Sequence, residues 1–528
     1  MAKIIENSFY QLMVVYSLVV ILIALGTVSR FALQFHIFAF IIALFGISII
    51  SKKELDDTQL SKKLHYLLFT LAILFIIFLR VLPYLINGFD VPLGYDAGLY
   101  KYGIESDLDA LDQWILNGGM EPGFLYLMKP LTSVFSTDFI LVWLLIAFSV
   151  ILGVAIYLFS REYFNKEVAL VALIIFALSL VQIKVFAFMY YKNIIGLSLM
   201  LFSLYFLRRY ESNKKTLMLV LFIVLAGFLG AVHRPTFYIF GLSYFFYAFL
   251  SPWKDKKYDL KRMGISVLSG VIILIISSSF YIGEFWPAIT SVLPYVGKSF
   301  ISPGESPGTF ISFINYQLSV LPYLVLSLIG LFYLIKKRQA SYLVIWTLIN
   351  LAIVYFQFFF FNRFIIHLDI ALIILSAIGF ALIFQDTSKR KLVSVLMIVL
   401  LVSAGFLAFK ESVNAKPSIN DEDLSLLKKI PEKVELDASI ISISSQYSPF
   451  VLAYSERKTI APGLFDENIW TEEQWDEFWE SSDENETKEL LSSYNKPLYL
   501  FSGMKEFNNP CFEEFLVVNK SNLLKYVC

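Results

Sequence analysis

Gly94-Tyr95-Asp96-Ala97-Gly98-Leu99-Tyr100 is a polar interruption in a chain otherwise assembled from apolar runs. Around it, residues 87–120 hold Asp90, Asp96, Glu105, Asp107, Asp109 and Asp112 against a single cation, Lys101. Glu121-Pro122-Gly123 follows directly. On either side, runs near the ~20 residues needed to cross a bilayer recur from Phe9 to Phe409, about 13 in all. Hydrophobic residues make up 58% of the 528, charged ones 16%, and mean hydropathy is +0.69. A soluble domain has no means of hiding that much apolar surface. Formal net charge is zero, so no overall field favours nucleic acid.

These observations predict an all-α polytopic membrane protein, residues 1–410, followed by a small extracytoplasmic α/β domain, residues 411–528. Phe9–Val28 is too long for a signal-peptide core and reads as a retained anchor. Lys and Arg concentrate in alternate loops, at 52–63, 161–166, 208–215, 254–262, 336–338 and 389–391. By the positive-inside rule these loops and the N-terminus are cytoplasmic. The acidic loop 87–137, the loop 284–313 and the tail then lie outside the plasma membrane. This topology requires Gly123–Phe135, a short run after a proline, to stay at the surface.

The tail has strand-like runs at Ala438–Ser444 and Pro497–Phe501 around a helical, acidic middle at Thr471–Glu489. Its two cysteines, Cys511 and Cys528, are open to pairing in an oxidising compartment, with free thiols the alternative. Asn485-Glu486-Thr487 and Asn519-Lys520-Ser521 match a glycosylation sequon, a weak three-residue signal. Pro303-Gly304-Glu305-Ser306-Pro307-Gly308 marks irregular backbone suited to gating a cavity or to a plain linker.

Within the acidic loop, Ile104, Leu108, Leu111 and Ile115 form one helical stripe, with Glu105, Asp109 and Asp112 on another face. This predicts a surface amphipathic helix whose three carboxylates are a solvated face. Asp96 and Glu121 differ, because each follows a turn and precedes a predicted helix start. Capping of backbone N–H groups competes there with a chemical role. Cations on the same side are Arg80, Lys129, Lys184, Lys192, Arg234, Lys298 and Arg363, with His233 and His367 beside two of the arginines. A phosphate at the membrane surface would satisfy such a set. For Arg80, inside an apolar run, snorkelling to the interface is the competing reading.

This layout resembles the GT-C class of integral-membrane glycosyltransferases, the superfamily of protein O-mannosyltransferases and aminoarabinose transferases. Gly94–Tyr100 occupies the position of that class's acidic first-loop motif, and Phe361-Asn362-Arg363-Phe364 resembles its late outer arginine. The resemblance implies transfer of a sugar from a polyprenyl-phosphate donor to a glycan, lipid or protein acceptor hydroxyl. It implies Asp96 as general base and Glu121 as a second carboxylate. Arg363, Lys184, Lys192, His233, Arg234 and Arg80 become candidates for the lipid phosphate. Two carboxylates alone leave a divalent cation open and establish no metal ligand. The adjacent Asp-Glu pair of mannosyltransferases is absent, since Ala97 follows Asp96. No Trp-Trp-Asp-type motif appears in the tail, which argues against transfer to asparagine. Glu121-Pro122-Gly123-Phe124 also resembles a segment of exopolysaccharide polymerases. A lipid-linked saccharide flippase, and an assembly protein whose tail binds a partner, are the rival classes. A transporter normally carries its charges near the midplane of repeated halves; no repeat is visible here.

Overall fold

The computed structural model describes residues 2–528 other than 27–31, 51–54, 56–59, 90–91, 255–256, 291–308, 338–340, 359–360, 387–389, 464 and 496. The sequence Pro303–Gly308 therefore lies outside the described residues. Six helices among those described are long and apolar enough to cross a membrane, or eight if two bent pairs each count as one span. Three shorter apolar helices, Leu33–Ile49, Thr216–Val232 and Tyr342–Tyr355, accompany them. The chain is a multi-pass membrane protein.

Burial separates the core helix from the lipid-facing ones. The apolar window of Phe361–Gln385 is 94% buried, that of Leu260–Ser279 only 22%. The first is apolar on every side because neighbours surround it, including Leu321–Lys337, Lys166–Ala177 and Tyr342–Tyr355. The second exposes Leu268, Leu274 and Ile275, a surface that is stable against lipid and costly against water.

Two spans are broken, and the sequence shows why. Lys166–Ala177 and Leu180–Ala187 meet at 54°, where the Ser179 hydroxyl accepts from the Gln182 N–H and restarts the helix. Phe313–Ser319 and Leu321–Lys337 meet at 76°. Pro322 there supplies no N–H to continue the earlier helix. Asp369, on the core helix, accepts from Ser179 Oγ at 2.9 Å, from Gln182 Nε2 at 2.7 Å and from the Tyr323 hydroxyl. One buried carboxylate thus ties both breaks to the core.

The acidic loop is not one amphipathic helix. Asp96–Glu105 is helical, but Ser106 and Asp107 are extended. Leu108–Ala110 is a single tight turn and Ile115–Gly119 a wide one. Ser and Asp offer the backbone alternative hydrogen bonds, which ends the helix despite continued apolar periodicity. Nor are its carboxylates all a solvated face. Glu105 pairs with Lys101 at 2.7 Å, and Asp112 accepts from the Tyr102 hydroxyl at 2.8 Å and the Trp114 indole at 3.2 Å. Glu105 and Asp109 are exposed and fit the solvated reading; Asp112 is the one of the three drawn inward. The next helix, Pro122–Met128, has seven residues and is too short to cross a bilayer.

After the helix Arg390–Asn414 the chain docks back on the loop. Asn87 Nδ2 donates to the Ala415 carbonyl at 2.9 Å, and Ser418 N to the Leu93 carbonyl at 2.9 Å. Besides a small ribbon, β1 (Trp253–Lys254) and β2 (Lys257–Tyr258), the strands belong to one C-terminal sheet. They are β3 (Ser439–Ser442), β4 (Lys458–Ile460), β5 (Leu498–Gly503), β6 (Phe512–Val518) and β7 (Ser521–Tyr526). Their order is β4-β3-β5-β7-β6, with β3 parallel to β4 and β5 and the last three antiparallel. Both strand-like runs of the sequence are here, and the acidic middle forms helices Glu472–Glu480 and Glu484–Leu491. Cys511 and Cys528 are paired, closing the open end of the β6–β7 hairpin. At its turn Asn519 adopts φ +54°, a conformation Asn tolerates better than most residues. That backbone need accounts for the asparagine of the second sequon.

Candidate active site

The glycines of the opening motif set the position of Asp96. A Cβ on Gly94 would meet the Phe188 backbone at 2.5 Å, and one on Gly98 would collide with the Pro449 backbone. The helix Asp96–Glu105 is therefore wedged between the bundle and the C-terminal part. Its third anchor is a ring cluster: Tyr100 to Phe124 at 5.1 Å, Tyr100 to Tyr191 at 6.0 Å, Phe124 to Tyr191 at 5.7 Å. These rings join the Asp96 helix to the helix starting at Pro122 and the helix Tyr191–Asn213. Lys129 donates to the Ile104 and Ser106 carbonyls. It caps the helix C-terminus, where a cation is favoured, and so serves structure.

Asp96 is the first residue of its helix, and neither it nor Tyr95 makes a side-chain cap. The capping explanation of this carboxylate fails. Among the described residues it has no hydrogen bond or ion pair. Burial pushes its pKa above the ordinary value, and the charges of Arg363 and Lys192 offset this only in part. Both cations face Asp96 from beyond ion-pair distance.

Glu121 is the opposite case. It occupies the N-cap position of Pro122–Met128 but does not cap it. Instead Oε2 meets Lys192 Nζ at 2.6 Å and Oε1 lies 3.8 Å from Arg234 Nε. The Arg234 backbone N–H also donates to Oε1 at 3.3 Å. Glu121 is 3% exposed; burial alone would raise its pKa, but Lys192, His233 and Arg234 hold it at about 2. With both oxygens facing cations, it is poorly disposed to ligate a metal.

Local backbone places these cations. Met189, at φ +56°, reverses the chain between Leu180–Ala187 and Tyr191–Asn213, so Lys192 lies in the first turn of the latter helix. Gly123 lets the helix at Pro122 approach Ala231 closely enough that a Cβ would sit 2.7 Å from the Ala231 Cβ. This brings Glu121 to Arg234, just past the end of Thr216–Val232. The Arg234 guanidinium donates to the Ala288 carbonyl at 3.2 Å and to the Gly118 carbonyl. Gly118 has φ +111°, and a side chain there would strike that guanidinium.

Behind the cations, Thr236 Oγ1 lies 2.7 Å from His233 Nδ1 and 3.1 Å from His367 Nε2. His367 is one turn below Arg363 on the helix Phe361–Asp386. The two outer His-Arg pairs thus converge through one hydroxyl.

Two candidates lie elsewhere. Lys184 pairs with Glu411 at 2.7 Å. Arg80 is buried beside Phe176 and Phe186, 5.4 and 5.8 Å from the ring centroids, and donates to the Ile76 carbonyl. It neither snorkels to the interface nor belongs to the charges that face Asp96 or Glu121. Sequence reasoning missed Asp369 and Thr236. A lone aspartate inside Phe364–Phe384 was a usable signal, because an ionisable group in a span needs partners. Nothing marked Thr236.

Residues 121–282 match the family model described as dolichyl-phosphate-mannose-protein mannosyltransferase. That segment carries Glu121, Lys192, His233 and Arg234. Among solved structures, the chain is similar to the oligosaccharyltransferase of Archaeoglobus fulgidus in its apo form. They share 14% identity with a TM-score of 0.64, over 85% of this chain and 70% of that one. The archaeal oligosaccharyltransferase AglB, also from Archaeoglobus fulgidus, in complex with an inhibitory peptide and a dolichol-phosphate, aligns with TM-score 0.60 and 13% identity, over 85% and 70%. ArnT from Cupriavidus metallidurans, bound to undecaprenyl phosphate, aligns at 0.55 and 11%, over 86% and 98%. Compared by sequence with curated proteins, the chain matches none.

Proposed function

We propose that this chain, which carries the GT-C fold of integral-membrane glycosyltransferases, transfers a sugar from a polyprenyl-phosphate donor to an extracytoplasmic acceptor hydroxyl. The observation that carries the reading is the gap between Asp96 and its facing cations. A half-buried carboxylate with no ion pair of its own and a raised pKa lies within the field of Arg363 and Lys192, beyond ion-pair distance of both. That division suits a general base on one side and a phosphate leaving group on the other.

In the proposed step the acceptor hydroxyl gives its proton to Asp96 as its oxygen attacks the anomeric carbon. The bond from that carbon to the phosphate oxygen breaks, and the lipid phosphate leaves with the electron pair. A single displacement inverts the anomeric centre. Arg363 and Lys192 stabilise the charge that develops on the phosphate. Glu121 is a positioning residue: it holds Lys192 and Arg234 in place and takes no proton near neutrality. His233 belongs to this frame through Thr236. Lys184 and Arg80 serve as structural cations rather than phosphate ligands.

The proposed orientation places the N-terminus in the cytoplasm and the acidic loop and tail outside the plasma membrane, with residues 1–410 and 411–528 as the two domains. The cysteine pair accords with an oxidising compartment. ArnT, crystallised with undecaprenyl phosphate, supports the donor class.

The test is reconstitution in vesicles with a polyprenyl-phosphate-linked sugar on the luminal side and a panel of soluble acceptors. Formation of a glycosidic bond with release of the lipid phosphate is expected. Movement of the intact lipid-linked sugar across the bilayer with no new bond would establish the flippase instead.

A further inference from the structure

A cleft of about 820 Å³ opens between the acidic loop and the C-terminal part, lined on one side by Lys101, Tyr102 and Glu105 and on the other by Tyr454, Arg457 and Lys458. Its size falls within the ~300–1,000 Å³ typical of small-molecule sites. It is separate from the candidate active site. On the helix Asp96–Glu105, Asp96 and Tyr100 share one face, while Lys101 and Glu105 share another. The far end of that helix is roughly 13 Å along the axis from Asp96.

We infer that this cleft is a second binding site, for an uncharged, hydroxyl-rich saccharide. The inference deepens the glycosyl-transfer reading by giving the acceptor a chemical class. It rests on that reading for its link to turnover, and on the cleft alone for binding.

The wall chemistry selects the ligand. Its charges are paired: Lys101 with Glu105 at 2.7 Å and with Asp138 at 3.5 Å, Lys428 with Asp138 at 3.8 Å, Lys458 with Glu467 at 2.7 Å. Such a wall has little net field to draw in a phosphate. It does set donors and acceptors side by side, the arrangement a hydroxyl uses when it donates to a carboxylate and accepts from an ammonium. The one guanidinium suited to an anion is occupied. Arg457 is buried and donates to the carbonyls of Pro431, Val434, Glu435 and Glu456.

The cleft is also held rigid. The Tyr454 hydroxyl donates to Asp138 at 2.7 Å, and Lys101 and Lys428 lie over the Tyr454 ring. Tyr102 is fixed by Asp112. Across the two parts, the Gln113 N–H donates to Asp466. Walls already bonded to one another lose little freedom when a ligand arrives. A peptide is the other occupant to consider, because β4 is an edge strand and Lys458 and Thr459 line the cleft. Charged and hydroxyl-bearing side chains dominate the lining, with few large apolar ones to receive the alternate side chains of a strand-adding peptide, and this favours the sugar.

The experiment titrates the full-length protein in nanodiscs with maltotriose, mannotriose and chitotriose by saturation-transfer NMR. At least one should bind saturably. Ala110→Trp, an exposed change that fills the cleft, should weaken binding at least tenfold. Glu105→Gln, whose side chain is 42% exposed, should weaken it about threefold, while Asp96→Asn leaves it within twofold. Absence of binding by all three sugars, or unchanged binding by Ala110→Trp, overturns the proposal. So does exclusive binding of a Ser/Thr-rich peptide that Ala110→Trp blocks. In turnover with a glycan acceptor, Ala110→Trp should raise KM tenfold at constant kcat. If Asp96→Asn retains turnover while the cleft still binds sugar, the base assignment falls and the cleft stands.

Discussion

Asp96 and Glu121 are two carboxylates at the starts of two neighbouring loop helices, and the protein treats them oppositely. Glu121 has Lys192 and Arg234 against its oxygens, and its pKa is held at about 2. Asp96 has none against it, and its pKa is raised. The first arrangement contributes stability and the second costs it. A folded chain that keeps a half-buried carboxylate beyond ion-pair distance of the two cations that face it leaves an interaction for something else to complete. The difference teaches that position at a helix start does not define the role; the distance to the nearest cation does.

The largest expected effect on stability is at the paired site. Glu121→Gln leaves Lys192 and Arg234 without their counter-charge in a buried setting and should cost about 3 kcal/mol, read as a lowered Tm in detergent. Asp96→Asn should do the reverse. A raised folded pKa means that stability is lost as pH rises from the ordinary value of 3.8 through the folded one. That cost is fully present above it, so removing the charge should leave Tm near neutrality unchanged or higher. A lower Tm for Asp96→Asn than for Glu121→Gln would break the comparison.

Gly118→Ala comes next. Its φ of +111° and the adjacent Arg234 guanidinium both oppose a side chain, for about 1–3 kcal/mol. The same change should displace Arg234 and reduce turnover. A variant with the Tm and turnover of the unsubstituted protein would mean that Arg234 is not held by this turn.

pH separates the two carboxylates without mutation. Glu121, with its depressed pKa, contributes stability above the unfolded value of 4.5, and that contribution is lost as pH falls toward 2. Asp96 sets the acid limb of kcat/KM, which should lie above the ordinary value of 3.8. Arg363→Gln removes a cation that lowers the Asp96 pKa, so the limb should move to higher pH. A limb unmoved by that change would detach Arg363 from Asp96. The smallest effect is expected at Lys184→Met. It loses a partly exposed pair with Glu411, worth about 0–1 kcal/mol, and should leave the acid limb in place.

Much of this was legible in the sequence for a physical reason. A bilayer forces apolar runs to be long and makes polar interruptions expensive, so the class of fold and the two carboxylates stand out. The strand runs and acidic helices of the tail were equally readable from local pattern. The partners were not. Lys184 and Glu411 are 227 positions apart, and nothing local in Lys184 announces that its charge is used there. The helix stripe from Ile104 to Ile115 misled, because apolar period persists through a Ser106-Asp107 break. Arg80 stood out because a buried cation needs partners, and the two phenylalanine rings and the carbonyl beside it lie on segments far from it in sequence or carry no local signal.

The most direct measurement compares single-turnover sugar transfer by the intact protein and by Asp96→Asn, alongside donor binding measured separately. The account predicts a rate lower by about 10²–10⁴-fold, with donor affinity and Tm preserved. Transfer at the original rate by Asp96→Asn would contradict it.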